Sequence, residues 1–121
     1  MPAADPHAPA RAPAPDRDAL LRRYRELVDR ELPERAARDR WVLRYDHCFG
    51  RVLLDHAVGC RWYDVLDRRS AAFRQLDDDQ LAAAVALGER LLEEGDPLLR
   101  TLDAQSLQWR GKPPKPTRRV G

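Results

Sequence analysis

The segment from position 45 to position 62, YDHCFGRVLLDHAVGCRW, holds most of the side chains that could do chemistry. Within it, His47 is a candidate general base and Cys48 a candidate nucleophile. Neighbouring residues on a helix point about 100° apart, so we do not expect these two to form a Cys–His dyad. His47 and Cys48 are therefore separate catalytic candidates, and whether the protein is an enzyme stays open.

Projected as a helix, this segment places His47, Arg51 and Asp55 on one polar stripe, with Cys48 beside it. Apolar residues on its other sides predict a helix at the centre of a bundle. A partly buried Arg and Asp four positions apart should pair, because an unpaired ion out of water is costly. The stripe is then either an internal salt bridge that serves the fold or the wall of a pocket in which Arg51 anchors an anion.

The pocket interpretation extends to neighbouring aromatic and charged residues. RWYD and QWRGK, which we expect to be exposed, have the composition of contact hot spots. They favour a small helical binding or adaptor protein that holds a protein partner or a small anionic ligand. The predicted ligand-binding residues are Tyr45, Asp46, His47, Arg51, Asp55, Trp62 and Arg110, with Tyr63 as a further wall.

A metal centre is not predicted. His47 and His56 fall on opposite faces of the projected helix, and Cys48 and Cys60 are too far apart in sequence for a metal clip or a disulfide. His56 and Cys60 could supply half of a zinc site, but no second pair of ligands is visible. We therefore expect free thiols, no metal and no cofactor, with His56 hydrogen-bonded to a carbonyl and Cys60 packed near a helix end at Gly59.

The surrounding periodicity is helical nearly throughout. Asp16 or Asp18 can cap a first helix, which we expect to end near Leu32 because Pro33 disfavours helix in the residue before it. Residues 33–40 predict either another turn or a short helix that starts at Pro33. Residues 41–45 have strand-like character but no partner strand, and they predict an extended connection or a helix start.

The clearest helix boundaries lie further along. Asp77 with Gln80 predicts a capping box, and Gly95 predicts the end of that helix. Asp96 is the expected cap of a last helix, with Pro97 in its first turn. Two helices joined this closely form a hairpin, so the predicted fold is all-α, a small bundle of about four or five helices.

Both ends of the chain have compositions that do not build a core. Residues 1–16 are rich in Ala and Pro and predict a disordered arm without the pattern of a secretory signal. Residues 112–121 predict a disordered basic tail with Lys112, Lys115, Arg118 and Arg119 and no acid. Residues 17–111 are then one helical domain. No apolar run approaches the ~20 residues that span a bilayer, so a cytoplasmic location without membrane contact is expected.

Charge argues against a basic domain. The formal net charge is +2, less than the predicted tail alone carries, so the rest of the chain is slightly acidic. Nucleic-acid contact through the tail would be weak and sensitive to salt. A nucleic-acid accessory protein that acts through the tail is therefore an alternative function. The oligomeric state cannot be read from the sequence.

YDHCFGRVLLDHAVGCRWYDVL together with LDAQSLQWRGK resembles a group of short bacterial proteins of unknown function, some of which are labelled acetyltransferases. The resemblance covers about residues 17–112. A small acyl or acetyl transferase is therefore the other alternative, in which Arg51 and Arg110 hold the donor and His47 is the base. The acetyltransferase fold has a mixed sheet with a glycine-containing pyrophosphate loop, and this sequence shows neither. The resemblance draws attention, without roles, to Asp46, His47, Cys48, Arg51, Asp55, Trp62, Ser106, Arg110, Gly111 and Lys112.

Overall fold

A computed structural model describes residues 16–113 of the chain. Most of the predicted arm and tail, residues 1–15 and 114–121, lies outside the described residues. The predicted all-α fold is confirmed, because residues 16–113 form a small helical bundle without a strand. No helix in this range is long and apolar enough to cross a bilayer. The helices are α1 (Arg17–Glu26), α2 (Leu32–Asp39), α3 (Asp46–Val58), α4 (Asp78–Glu94) and α5 (Asp96–Trp109), with 3-10 turns at Trp62–Asp64 and Ala72–Gln75.

The first helical stretch is longer than predicted. Asp16 caps α1, but the helical backbone does not end near Leu32 and continues past Pro33 into α2. A π-helical turn over Leu27–Glu31 joins the two, and the Leu32 N–H donates to the carbonyl of Leu27, five residues back. Proline lacks an N–H and its ring crowds the carbonyl four residues earlier, so this wider turn accommodates it. Of the two predictions for residues 33–40, the short helix is the one found, since the segment corresponds to α2.

The predicted ends of α4 are confirmed. The Gln80 N–H donates to the Asp77 carboxylate at 2.7 Å and the Asp77 N–H donates to the Gln80 side chain at 3.0 Å, which completes the capping box. Gly95, with φ of 76°, separates α4 from α5. The prediction that Asp96 caps α5 is wrong, because its carboxylate accepts the Val42 N–H at 2.7 Å. It thereby ties the extended connection at 41–45 to the start of α5.

Helix α3 lies at the centre of the bundle, as predicted, and packs against both α4 and α5. Phe49 and Leu53 of α3 are fully buried. On α4, Gly88 allows a close approach, since a Cβ atom there would lie 2.9 Å from Leu27 Cδ1 and 3.4 Å from Leu53 Cδ1. This apolar packing sets the position of α3 and leaves its other side to α5.

Candidate functional site

Asp55 is fully buried on α3, and its carboxylate is the centre of a hydrogen-bond network. It accepts the backbone N–H of Trp62 at 2.9 Å and the hydroxyl of Ser106 at 2.6 Å. Arg110 donates to both carboxylate oxygens, through Nε at 2.8 Å and Nη2 at 3.0 Å. One side chain therefore joins α3 to the following loop and to the C-terminal half of α5.

Arg51 forms a second buried ion pair between the same two helices. Its guanidinium donates to Asp103 and, at 2.8 Å, to the hydroxyl of Ser106. The side chains of Arg51 and Asp103 are only 17% and 4% exposed. Ser106 accepts from Arg51 and donates to Asp55, so its hydroxyl connects the two ion pairs.

The predicted pairing of Arg51 with Asp55 is wrong. Both side chains point at α5, where Asp103 and Arg110 provide partners from a different element. Packing against α5 removes them from water, and each buried charge is satisfied by a long-range partner rather than by its neighbour one helical turn away. Among residues 16–113, no buried side-chain nitrogen or oxygen lacks a hydrogen-bond partner.

The end of α5 is shaped by a Schellman motif. Gly111 has φ of 70° and donates its N–H to the carbonyl of Gln108 at 3.0 Å. The Lys112 N–H donates to the carbonyl of Leu107 at 2.9 Å, which reverses the chain direction. Glycine suits this left-handed position because it has no Cβ. The reversal leaves Arg110 beside α3 and brings Lys112 and the next residue to the same surface.

A surface cavity of about 410 Å³ lies between α3 and this end of α5. Three of its six lining residues are cationic, and the others contribute a thiol and apolar surface. We call it the cationic cavity; its lining residues are Cys48, Arg51, Leu107, Arg110, Lys112 and Pro113.

The ion pair with Asp55 keeps Arg110 charged. The hydrogen bond to Asp55 raises the pKa of Arg110 above its ordinary value, against the opposing effect of burial. In the bonds described above, Arg51 and Arg110 each use two of the five N–H groups that a guanidinium carries. Both arginines are therefore held in place and keep donors for a further acceptor.

Tyr45, Asp46 and His47, at the start of α3, do not line the cationic cavity. Tyr45 and His47 are exposed, and their rings stack with centroids 5.8 Å apart. Asp46 is also exposed, and its carboxylate accepts the backbone N–H of His47 at 2.7 Å. His47 and Asp46 line a different cleft, of about 370 Å³, beside the stacked rings of Tyr24 and Phe73. The structure does not bring these predicted residues together with Arg51.

The two catalytic candidates face different surfaces. Cys48 lines the cationic cavity and His47 lines the other cleft, so they do not form a dyad. Trp62 is partly buried, and it is its backbone N–H that meets Asp55. Tyr63 is a neighbour of the cavity, since the guanidinium of Arg110 lies 5.1 Å from its ring centroid.

The other histidine and cysteine of residues 16–113 have structural positions. His56 Nε2 lies 2.9 Å from the carbonyl oxygen of Leu102, which confirms the predicted carbonyl partner. Cys60 follows Gly59, the left-handed end of α3, and both Cys48 and Cys60 are free thiols. In the part of the chain that the structure describes, no group of three or more His, Cys, Asp or Glu side chains is placed to hold a metal ion.

Asp103 is the residue of the network that the sequence analysis missed, and Leu107 and Pro113 of the cavity were also not anticipated. A signal was present: Asp103, Ser106 and Arg110 recur at spacings of three and four, which places them on one face of a helix. A polar stripe of that kind beside buried leucines indicates a polar partner across the interface.

The chain matches no protein-family model, no curated protein and no solved structure. The resemblance to short bacterial proteins therefore stays a prediction. Residues 16–113 contain no strand and so do not form the mixed sheet of the acetyltransferase fold.

Proposed function

We propose that this protein is a small binding protein that holds an anionic ligand in the cationic cavity. The observation that carries the proposal is that Arg51, Arg110 and Lys112 line one cavity, although Arg51 lies within α3 and the other two follow the end of α5. Its volume is within the range of pockets that take small molecules. Relative to the site predicted from the sequence, Lys112 takes the place of His47.

The arginines are prepared for such a ligand before it arrives. Ion pairs with Asp103 and Asp55 already hold the two guanidinium groups in place, so little side-chain entropy is lost when an anion binds. A guanidinium presents a planar fork of donors that fits a carboxylate or a phosphate. Three cations against two carboxylates leave an excess of positive charge at the cavity.

The uncharged residues that line the cationic cavity indicate which class of anion fits there. Leu107 and Pro113 are apolar, and Cys48 adds a small, weakly polar thiol. These groups favour an anion with an apolar portion beside its charged group over a bare inorganic ion. A carboxylate or phosphate ester with a short hydrocarbon part is the ligand class that fits this lining.

Cys48 offers a direct reporter of occupancy. In a Cys60→Ser background it is the only cysteine, and its reaction rate with the neutral reagent 4,4′-dithiodipyridine can be followed by absorbance. Hexanoate, phenyl phosphate and acetyl-coenzyme A are suitable probes. At least one should slow the labelling in a saturable way, because an anion in the cavity covers the thiol.

Lys112→Gln tests the cationic cavity, and Arg38→Gln is its matched control. Lys112→Gln should weaken the protection by about threefold, the effect of removing one exposed charge. Arg38 lines a different cleft, with Glu31 and Glu34, and its replacement should leave protection unchanged. Unprotected labelling with every probe, or equal protection in both variants, would contradict the proposal.

A further inference from the structure

Tyr63 lies within a cluster of guanidinium groups that borders the cationic cavity. The guanidinium carbons of Arg61, Arg68 and Arg110 lie 5.5, 4.9 and 5.1 Å from the centroid of its ring. We call Tyr63 and these three residues the arginine cluster. Arg110 belongs to both the cluster and the cavity. The two features therefore form one continuous cationic surface.

The positive charge on this surface is not fully balanced. Asp64 pairs with Arg61 and Asp55 pairs with Arg110. Arg68 and Lys112 form no ion pair with the described residues 16–113. Both therefore carry charge that an anionic partner can neutralise.

The surface extends beyond the cationic cavity. Arg68 contacts the ring of Tyr63 but is not among the residues that line the cavity, whereas Lys112 is. One small anion held in the cavity would leave Arg68 without a partner, whereas successive phosphates of a nucleic-acid strand can neutralise both charges.

Aromatic rings accompany the charges. The rings of Trp62 and Tyr63 meet edge to face with centroids 5.7 Å apart, and both side chains are partly exposed. Proteins that bind single strands combine a cationic path for the backbone with aromatic rings on which bases stack. An acidic peptide would use the charges but has no bases to stack, so the rings favour a nucleic acid.

We propose that this surface binds single-stranded nucleic acid, with phosphates at Lys112, Arg110 and Arg68 and a base against Trp62. The inference rests on the proposed anion site and names a polymeric ligand for it. It differs from the tail-based alternative, because it places the contacts on the described, folded residues. The carboxylates around the surface imply modest affinity with strong dependence on salt.

The test measures fluorescence anisotropy of labelled decathymidylate with the full chain over a range of salt concentrations. Arg68→Gln should weaken binding about fivefold at about 0.1 M salt and reduce the salt slope by about 0.7, the effect of losing one phosphate contact on a single strand. Arg69→Gln is the matched control, because Arg69 is the next residue but pairs with Asp67. It should leave both quantities unchanged.

Three outcomes would overturn the inference. The first is an equal effect of Arg68→Gln and Arg69→Gln. The second is binding of decaglutamate as tight as that of decathymidylate, which would indicate an acidic protein partner. The third is binding that depends on Lys115, Arg118 and Arg119 but not on Arg68. The two proposals fail separately, since missing protection of Cys48 by small anions contradicts only the cavity proposal.

Discussion

The two sides of α3 are stabilised by different kinds of interaction. Towards α4 it presents Leu53, an apolar side chain that is fully buried near Gly88. Towards α5 it presents Arg51 and Asp55, whose charges are buried and paired. We call these the apolar side and the polar side of α3.

The two sides differ in how directional their interactions are and in whether a single substitution leaves a charge unpaired. Apolar burial is non-directional, so the apolar side needs only shape and volume to be roughly right. The polar side needs named partners, because a buried charge without its partner loses hydration and regains nothing. The same rigidity that makes the polar side sensitive also holds the arginines of the cationic cavity in place.

The largest loss of stability should come from removing one of the paired charges on the polar side of α3. Asp55→Ala removes the acceptor of Arg110, Ser106 and the Trp62 N–H, and it should lower the free energy of unfolding by about 3–5 kcal/mol. Urea unfolding followed by circular dichroism measures this loss. A loss below about 1 kcal/mol would show that water replaces the missing carboxylate, and the polar side would then not be a sealed interface.

Double variants identify the partners. Asp55→Leu with Arg110→Met removes both members of one ion pair, so it should recover most of the stability lost in Asp55→Ala. Arg51→Met with Asp55→Leu should recover none, because it leaves Asp103 and Arg110 both unpaired. Rescue by the second pair instead of the first would mean that Arg51 and Asp55 interact directly.

The apolar side should lose less. Leu53→Ala creates a cavity against α4 and should cost about 2–4 kcal/mol, with no charge left unpaired. Leu53→Met keeps the volume and should cost less than about 1.5 kcal/mol. The same urea titration tests both variants. A larger loss in Leu53→Ala than in Asp55→Ala would reverse the proposed order of the two sides.

Local signals predicted the fold well because they act within a few residues. The capping box of Asp77 and Gln80 and the glycine at 95 depend only on their immediate neighbours, and both lie where predicted. The predicted helix end near Leu32 was wrong because proline usually ends a helix, whereas here the helical backbone continues past Pro33. A π-helical turn removes that conflict, and nothing in the local pattern distinguishes the two outcomes.

The polar site was only partly predictable for a related reason. The helical projection identified Arg51 and Asp55 as charges that need partners, but it supplied the nearest one in sequence. Their actual partners lie 52 and 55 residues away, and only the packing of α5 selects them. The projection also placed His47 on the stripe. A helical projection gives the angle of each side chain around the helix axis, but it does not show which part of the helix a neighbouring helix covers.

The smallest expected effect concerns a partly exposed counterpart of the polar network. Arg23 pairs with Glu26, Glu31 and Glu89 where α1, the π-helical turn and α4 meet. The hydrogen bond from Arg23 lowers the pKa of Glu31 from its ordinary value of 4.5. The stabilisation is therefore present above that ordinary value and is lost as the pH falls through the lower pKa of the folded state.

Glu31→Gln should accordingly cost less than about 1 kcal/mol at about pH 7, because water and salt screen a pair at the surface. The cost should shrink at about pH 3, where part of the wild-type benefit is already lost. Glu34→Gln in the next turn is the control, since Glu34 forms no ion pair with the described residues. A cost for Glu31→Gln that is the same at both pH values would show that its contribution is packing rather than charge. Together with a large loss in Asp55→Ala, the small and pH-dependent loss would show that burial, not the presence of an ion pair, makes the polar side of α3 sensitive.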